Sequence, residues 1–112
     1  MLVVMNAVLH ALADPHRRLM VERLSAGEAT AGELGERVPV AQPGVSRHLA
    51  VLREAGIVDV RSEGRRRLYT LRPESMTELE GWLEDRRRMW TQRLGALHTE
   101  IARGKRAERS QP

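Results

Sequence analysis

Two short groups of polar and basic residues have the side chains needed to bind a negatively charged, hydrogen-bonding ligand. One group is Gln42, Ser46, Arg47 and His48, and the other is the run Arg65, Arg66 and Arg67. Arginine can bind guanine through two hydrogen bonds, and all of these side chains can donate to phosphate oxygens. Their types make double-stranded DNA a candidate ligand, provided that the fold presents both groups on one surface.

Catalytic chemistry is less well supported by the sequence. Ser46 and His48 are two positions apart, which on a helix places their side chains on different faces, so they cannot act as nucleophile and base. The sequence has no cysteine, which excludes disulfides and thiolate metal sites and is typical of a reducing compartment such as the cytoplasm. We therefore expect no enzyme activity and a cytoplasmic protein.

The other histidines, His10, His16 and His98, are each isolated in the sequence. A tight tetrahedral zinc site needs several nitrogen or sulfur ligands close together. We therefore expect His10 and His16 to pack or to cap a helix, and His98 to be a surface or interface residue. We expect the protein to hold no metal and no cofactor.

Composition limits the fold and the partner. The chain has 112 residues, of which 41 % are hydrophobic and 30 % charged, enough for one folded domain with a modest core. Its 19 lysines and arginines against 15 acidic residues give a net charge of +4, which fits a polyanionic partner but is modest. The apolar residues 1–5 have no basic leader, so we expect neither a signal peptide nor a membrane span.

The first part of the chain has the pattern of two short helices. Apolar residues recur at helical spacing over residues 2–12. Asp14 followed by Pro15 marks the N-cap and first turn of a second helix, over residues 16–26. The apolar residues that we expect this second helix to bury are Leu19, Met20 and Leu24.

The next stretch predicts a helix-turn-helix. Thr30 and Glu33 form a capping-box pattern that opens a short helix ending near Val38. After a tight connection, Gln42–Gly56 carries one apolar stripe, with proline in its first turn and glycine at its end. The stripe consists of Val45, Leu49 and Leu52. The opposite face, with its polar residues near the helix N-terminus, could enter the major groove of DNA.

His48 lies at the edge of this outer face, nearer to the buried stripe than Ser46 and Arg47. Its side chain could contact a phosphate or a single base edge. It could equally pack against the preceding turn, and the sequence leaves both alternatives open.

A β-hairpin is predicted directly after this helix. Residues 57–61 and 67–71 alternate with a period of two, and Gly64 supplies the turn between them. A basic hairpin tip is usually just solvated, but behind a helix-turn-helix it is a wing whose arginines would lie beside a phosphate backbone or in a minor groove. We therefore predict a mainly α, winged helix-turn-helix fold with a small β-hairpin.

A long amphipathic helix, from Pro73 to about Arg103, completes the predicted fold. About 30 residues span roughly 45 Å, so the apolar stripe needs a partner, and we expect the same helix of a second chain. With the first helix, the expected dimer interface contains Leu2, Met5, Leu9, Leu79, Trp82, Leu83, Trp90, Leu94, Leu97 and Ile101. Alternatively, the helix folds back on its own domain. We place one domain at residues 1–104 and a polar, disordered tail at residues 105–112.

Three motifs occur together and in a fixed order. They are Asp14-Pro-His-Arg-Arg18, the run Ser46-Arg-His-Leu49 with Leu52-Arg-Glu-Ala-Gly56, and Glu63-Gly-Arg65 before Tyr69-Thr-Leu71. In these residues the chain resembles the arsenic-repressor (ArsR/SmtB) family of bacterial winged-helix transcriptional repressors. The resemblance implies a homodimer, joined through its first and last helices, that binds a pseudo-palindromic operator and blocks transcription. It implies that both groups named at the outset contact DNA.

Many members of that family release DNA on binding metal, through cysteines on the third helix or through Asp and His on the last. Here the third helix has no cysteine, and the last offers Asp85, His98 and Glu100 with arginines at 86–88. The pattern Trp82…Trp90 resembles a metal-independent branch, which leaves an unidentified small-molecule or protein effector open. The alternatives are a metal- or small-ligand-responsive repressor and a winged-helix protein–protein interaction module that does not bind DNA.

Overall fold

The structure, a computed structural model, describes the backbone of residues 2–109 and the side chains of residues 4–102. The elements in chain order are α1 (Leu2–Leu12), α2 (Pro15–Leu24), β1 (Ala29–Thr30), α3 (Ala31–Gly35), α4 (Gln42–Glu54), β2 (Val58–Glu63), β3 (Arg66–Leu71), a 3₁₀ turn (Pro73–Met76) and α5 (Thr77–Arg109). The chain divides into two compact units, the first ending at Leu79 and the second starting at Glu80.

The first unit has the predicted winged helix-turn-helix fold. The hairpin β2–β3 follows α4 and pairs in antiparallel register from Val58 opposite Leu71 to Glu63 opposite Arg66. A third strand, β1, pairs with β3 on its other side, so the sheet order is β1-β3-β2. The sequence did not predict β1, because a strand of two residues is too short to show alternation.

The core is built on the inner face of α4. Its predicted stripe is buried, and Met20, Leu34 and Ile57 from neighbouring elements join it in one cluster. The prediction that Leu19 is also buried was wrong, since its side chain is 37 % exposed. Met20 and Leu24 are four positions apart and define the buried line of α2, and Leu19 lies one residue off that line.

Local hydrogen bonds fix where the helices begin, as predicted. The Asp14 carboxylate accepts from the backbone N–H of His16 at 2.8 Å and of Arg17 at 3.2 Å. At α3 the capping box is complete, because Thr30 Oγ1 accepts from the N–H of Glu33 and Glu33 Oε1 accepts from the N–H of Thr30. The backbone hydrogen bond from Thr30 is the main reason that the pKa of Glu33 lies below its usual value.

The end of α4 depends on Gly56. This residue has φ +78°, and its N–H donates to the carbonyl of Arg53 while the N–H of Ile57 donates to that of Leu52. This pair of bonds is the Schellman arrangement, in which a left-handed glycine satisfies the last helical carbonyls. The chain thereby turns from α4 directly into the wing.

Two predicted boundaries needed correction. Pro73 begins a 3₁₀ turn, and the α-helix itself starts at Thr77. α5 then extends to Arg109, beyond the predicted end near Arg103, because a single glycine, Gly104, costs only about 1 kcal/mol in a helix. Residues 105–109 of the predicted disordered tail thus belong to α5, and its residues 110–112 lie outside the described residues. Within residues 2–109, no helix combines the length and apolar character that a membrane span requires.

Replacing Gly56 should destabilise the first unit. A Cβ at this position meets no atom within 4 Å, so Gly56→Ala tests the left-handed backbone alone and should lower the free energy of unfolding by about 1–2 kcal/mol. Gly32→Ala is the matched control: Gly32 lies in α3 and its added Cβ makes only ordinary contact with Thr30, so stability should be equal or up to about 1 kcal/mol higher. Urea unfolding measures both, and equal stabilities would contradict the assignment.

Candidate nucleic-acid interface

The outer face of α4 presents the first predicted group. Gln42, Ser46 and Arg47 are exposed, while His48 is half-buried. The inward face is occupied by the buried stripe, so the helix cannot rotate without exposing Val45, Leu49 and Leu52. The core therefore fixes which side chains α4 offers to a ligand.

The arginines of the first unit fall into two classes. Some are held by protein acceptors: Arg61 donates to Glu28 at 2.6 Å and to Glu63 at 2.9 Å, and the bond to Glu28 is the main reason that the pKa of Arg61 is raised. The side chains of six others have no hydrogen bond or ion pair with any described residue: Arg37, which follows α3, and Arg47, Arg53, Arg65, Arg66 and Arg67 on α4 and the wing. The second class is free to bind an anionic ligand.

A groove of about 560 Å³ lies between α4 and β3. It is lined by Ser46, Leu49, Ala50, Arg53, Glu54, Arg67 and Tyr69. It brings one member of each predicted group, Ser46 and Arg67, to the same surface. Arg65 lies in the hairpin turn after Gly64 and Arg66 begins β3, and neither lines this groove; nor do the other members of the α4 group.

Arg53 and Tyr69 line the groove but were not among the DNA-binding residues predicted from the sequence. Arg53 comes seven positions, or two turns, after Ser46, so both lie on one flank of α4. That spacing could have been used to predict the position of Arg53. The position of Tyr69 could not be predicted in this way, because it depends on the pairing of β3 between β1 and β2.

His48 packs against the start of α2, which supports the second of the two alternatives for its side chain. Its Nδ1 lies 3.3 Å from Arg17 Nη1, and its ring meets the His16 ring edge-on with centroids 5.7 Å apart. His16 thus packs, as expected, because the packing of α2 on α4 joins residues that are distant in sequence. The side chain of His10 is exposed in the last turn of α1, so of the two expected roles, packing and helix capping, packing is excluded.

Asp14, His16 and His48 could offer ligands to a metal ion. One candidate ligand atom from each lies within 4.8 Å of the other two. The Arg17 guanidinium, however, already occupies the neighbourhood of His48 Nδ1, and the Asp14 carboxylate already accepts two backbone N–H groups. A cation here would face a fixed positive charge, so the group is better described as a hydrogen-bonded network.

The same network sets the pKa of Asp14. Burial acts to raise this pKa, but it is outweighed by the backbone hydrogen bonds from Arg17 and His16, with the charge of Arg17 acting in the same direction. The pKa of Asp14 therefore lies below its usual value, and the carboxylate stays ionised at the start of α2. An ionised N-cap is favourable at the positive end of the helix dipole.

The residues of the expected dimer interface differ in exposure. Met5 is half-buried and Leu9 exposed on α1, while the side chain of Leu2 lies outside the described residues. Leu79 packs against the core of the first unit. The remaining members, all in the second unit, are 48–67 % exposed. They are Trp82, Leu83, Trp90, Leu94, Leu97 and Ile101.

Sequence comparisons identify the class of this protein. A family model described as a helix-turn-helix domain matches residues 12–61. The regulator Rv2034 of Mycobacterium tuberculosis is 45 % identical over 84 residues, which are 75 % of this chain and 76 % of that protein. The repressor SdpR of Bacillus subtilis is 30 % identical over 79 residues, 70 % of this chain and 88 % of SdpR.

Solved structures agree with the sequence matches. The ArsR family transcriptional regulator RHA00566 superposes with a TM-score of 0.72 and is 34 % identical, covering 78 % of this chain and 96 % of its own. This chain belongs to the ArsR family. A similar fold is also found in the homodimeric winged helix-turn-helix DNA-binding domain of Mb0332 from Mycobacterium bovis, with a TM-score of 0.63 and 25 % identity, covering 74 % of this chain and 77 % of its own. ArsR-family proteins are DNA-binding regulators of transcription and not enzymes.

The groove predicts a phosphate contact by Arg53. Arg53→Gln should weaken binding to every duplex and reduce the slope of log K against log salt by about 0.9 per lost contact, or about 2 for two protomers. Arg72→Gln removes the same charge where Asp59 and Glu74 already balance it, so its slope should match the wild type. Fluorescence anisotropy at several salt concentrations measures both, and an unchanged slope for Arg53→Gln would mean that the groove holds no phosphate.

Proposed function

We propose that this ArsR-family protein is a repressor that binds a pseudo-palindromic operator as a homodimer. The observation that carries the proposal is the surface on which exposed α4 residues and unpaired arginines of the wing meet. α4 would lie in the major groove, and the wing would lie beside the phosphate backbone or in the adjacent minor groove. Bound to a promoter, such a dimer blocks transcription, and SdpR is a repressor among the relatives.

Within this surface, each residue type suits a different contact. Arg47 is exposed and has no partner among the described residues, so we assign it to guanine, in a bidentate contact worth about 1–3 kcal/mol of base discrimination. Ser46 and His48 suit phosphates or single base edges, and Gln42 lies at the N-terminus of α4. Arg65, Arg66 and Arg67 suit the sugar–phosphate backbone, which positions the protein without reading sequence.

We assign dimerisation to α1 and α5. The second unit exposes a contiguous apolar surface, including an apolar groove of about 340 Å³ lined by Trp82, Leu83, Trp90 and two arginines. Arg86 lies over the Trp82 ring at 5.7 Å, a cation–π contact that places its charge on the aromatic face of this surface. A helix with one exposed apolar face is stabilised when a second copy covers that face. The homodimeric Mb0332 domain supports the same assembly here.

We propose that operator release does not use the metal sites known from the family. The sequence has no cysteine, and on α5 Asp85 is paired with Arg88 at 3.5 Å. The effector, a small molecule or a protein, is unidentified. We place the protein in the cytoplasm, where its DNA partner is.

Two arginine variants test the assignment of α4 and the wing. With DNA from upstream of its own gene, Arg47→Ala should weaken operator binding and relax preference at one base position per half-site. Arg66→Ala should weaken binding to all sequences alike and lower the salt slope. Anisotropy at two salt concentrations separates the effects, and zinc should change neither.

Each result bears on a different part of the proposal. Unchanged operator affinity in Arg47→Ala would remove α4 from the major groove. Loss of binding on adding zinc would refute metal independence. Absence of duplex affinity in the wild type would favour a protein-interaction module, and activation of a reporter promoter would refute repression.

A single charge should break the dimer. Trp90→Arg places an unpaired cation in the apolar surface of α5 and should raise the dimer dissociation constant at least about 100-fold, with loss of tight operator binding. Gln92→Arg adds the same charge about 200° around the helix and should leave the dimer intact. Sedimentation equilibrium measures both, and a stable Trp90→Arg dimer would exclude α5 from the interface.

A further inference from the structure

Arg17 joins three helices at the base of the DNA-reading surface. Its Nε donates to the carbonyl oxygen of Ala11 at 2.6 Å and its Nη2 donates to that of His10 at 3.1 Å, both in the last turn of α1. Its Nη1 lies 3.3 Å from Nδ1 of His48 on α4. The Arg17 side chain is only 12 % exposed. These contacts hold the guanidinium in one place.

This geometry determines the proton position on His48. A guanidinium can only donate hydrogen bonds and does not lose its proton in proteins. Nδ1 of His48 must therefore be the acceptor, which means that it carries no proton. A neutral imidazole has one N–H, so the proton of His48 is on Nε2.

The second ring nitrogen, Nε2, is not fully buried. No hydrogen bond joins it to another described residue. Within the part of the chain that the structure describes, no buried side-chain nitrogen or oxygen lacks a hydrogen-bond partner. Since Nε2 has no such partner, it is not fully buried. Its N–H therefore has no acceptor within the described residues and keeps some access to solvent at the edge of α4.

We propose that Arg17 is a positioning residue for DNA recognition, which holds the His48 ring so that its Nε2–H donates to an oxygen of the operator. The inference rests on the proposed function, because the acceptor belongs to the DNA that α4 binds. Packing against α2 and contact with DNA are then not alternatives for His48. One nitrogen is used for the packing and the other for the contact.

The physical gain is preorganisation. A free histidine ring can rotate and can exchange its proton between the two nitrogens, so DNA would have to order it on binding. Ordering one side chain on binding costs roughly 0.5–1.5 kcal/mol. Arg17 is held by α1 before DNA arrives, so this cost is already met in the free protein. If the ring were rotated so that the unprotonated nitrogen faced the DNA, the lone pair of that nitrogen would be repelled by the phosphate oxygen.

The first test is the protonation state of His48 in the free full-length protein. Nitrogen-15 NMR distinguishes a protonated from an unprotonated imidazole nitrogen, and at alkaline pH it should show Nε2 protonated and Nδ1 bare. Arg17→Met should shift the Nδ1 resonance, because it removes the donor. A wild-type His48 with its proton on Nδ1 would overturn the proposal.

The second test uses two replacements of His48 that each imitate one nitrogen. His48→Gln places an amide N–H near the position of Nε2 and should bind the operator within about threefold of the wild type. His48→Asn places its amide near the position of Nδ1, so it keeps an acceptor for Arg17 but loses the donor to DNA. It should bind about tenfold more weakly. Equal affinities for the two variants would show that Nε2–H makes no DNA contact.

The third test asks whether Arg17 acts through His48. Arg17→Met should lower operator affinity about tenfold in the wild type, summed over two protomers, but less than about twofold in the His48→Gln background. Arg17→Lys keeps the positive charge but loses the planar guanidinium that donates to α1 and His48 at the same time, so it should not restore affinity. A loss of equal size in both backgrounds would show that Arg17 is merely structural and would overturn the proposal. Thermal unfolding of each variant identifies loss of folding, and Arg17→Lys serves where Arg17→Met is unstable.

The outcomes also separate this proposal from the proposed function. If Arg47→Ala weakens operator binding while His48→Asn and Arg17→Met do not, the assignment of α4 stands and the role of Arg17 is refuted. If no variant on α4 or the wing changes DNA affinity, both are refuted, whatever the state of the His48 ring.

Discussion

The burial of the apolar stripe of α4 is the interaction on which the rest of the structure depends. Val45, Leu49 and Leu52 are almost wholly inaccessible, and α4 contacts α1, α2, α3 and β2. Fully burying side chains of this size contributes about 1.5–3 kcal/mol each. Any rotation of α4 that moved its outer face would expose the stripe and lose that stabilisation. The direction in which Ser46 and Arg47 point is thus set by the core, whatever ligand they bind.

Signals that are local in sequence predicted most of the fold. The capping box at Thr30 and Glu33 can be recognised from four consecutive residues. The role of Gly56 can be recognised from its position at the end of one helix. The wing was readable because a change from helical to alternating spacing occurs at one point. The strands themselves run further than expected, to Glu63 and from Arg66, because a hairpin ladder continues up to its tight turn.

Features that need contact between distant segments were the ones missed. β1 is visible only through its pairing with Tyr69 and Leu68. Helical spacing from Ser46 could have indicated that Arg53 lines the groove. No sequence pattern indicated that Arg67 and Tyr69 of β3 form its other side. The contact of His48 with Arg17 joins positions 31 apart and depends on how α2 packs against α4. Sequence spacing carries no information on that packing. The sequence therefore could not decide whether His48 faces DNA or packs against the protein.

The two classes of arginine give the surface its selectivity. Arg17, Arg23 and Arg61 are each committed to a carbonyl or carboxylate of the protein, so they shape the fold without offering charge to a ligand. Most of the uncommitted ones lie on α4 and the wing, with Arg37 after α3 as the exception, and Arg61 pairs with Glu28 and Glu63. A net charge of +4 understates the field at this surface, because the paired charges cancel elsewhere. Arg17 belongs to the committed class, and in our proposal it affects DNA binding only through the histidine that it holds. For that reason its influence on DNA binding depends on geometry and not on its charge.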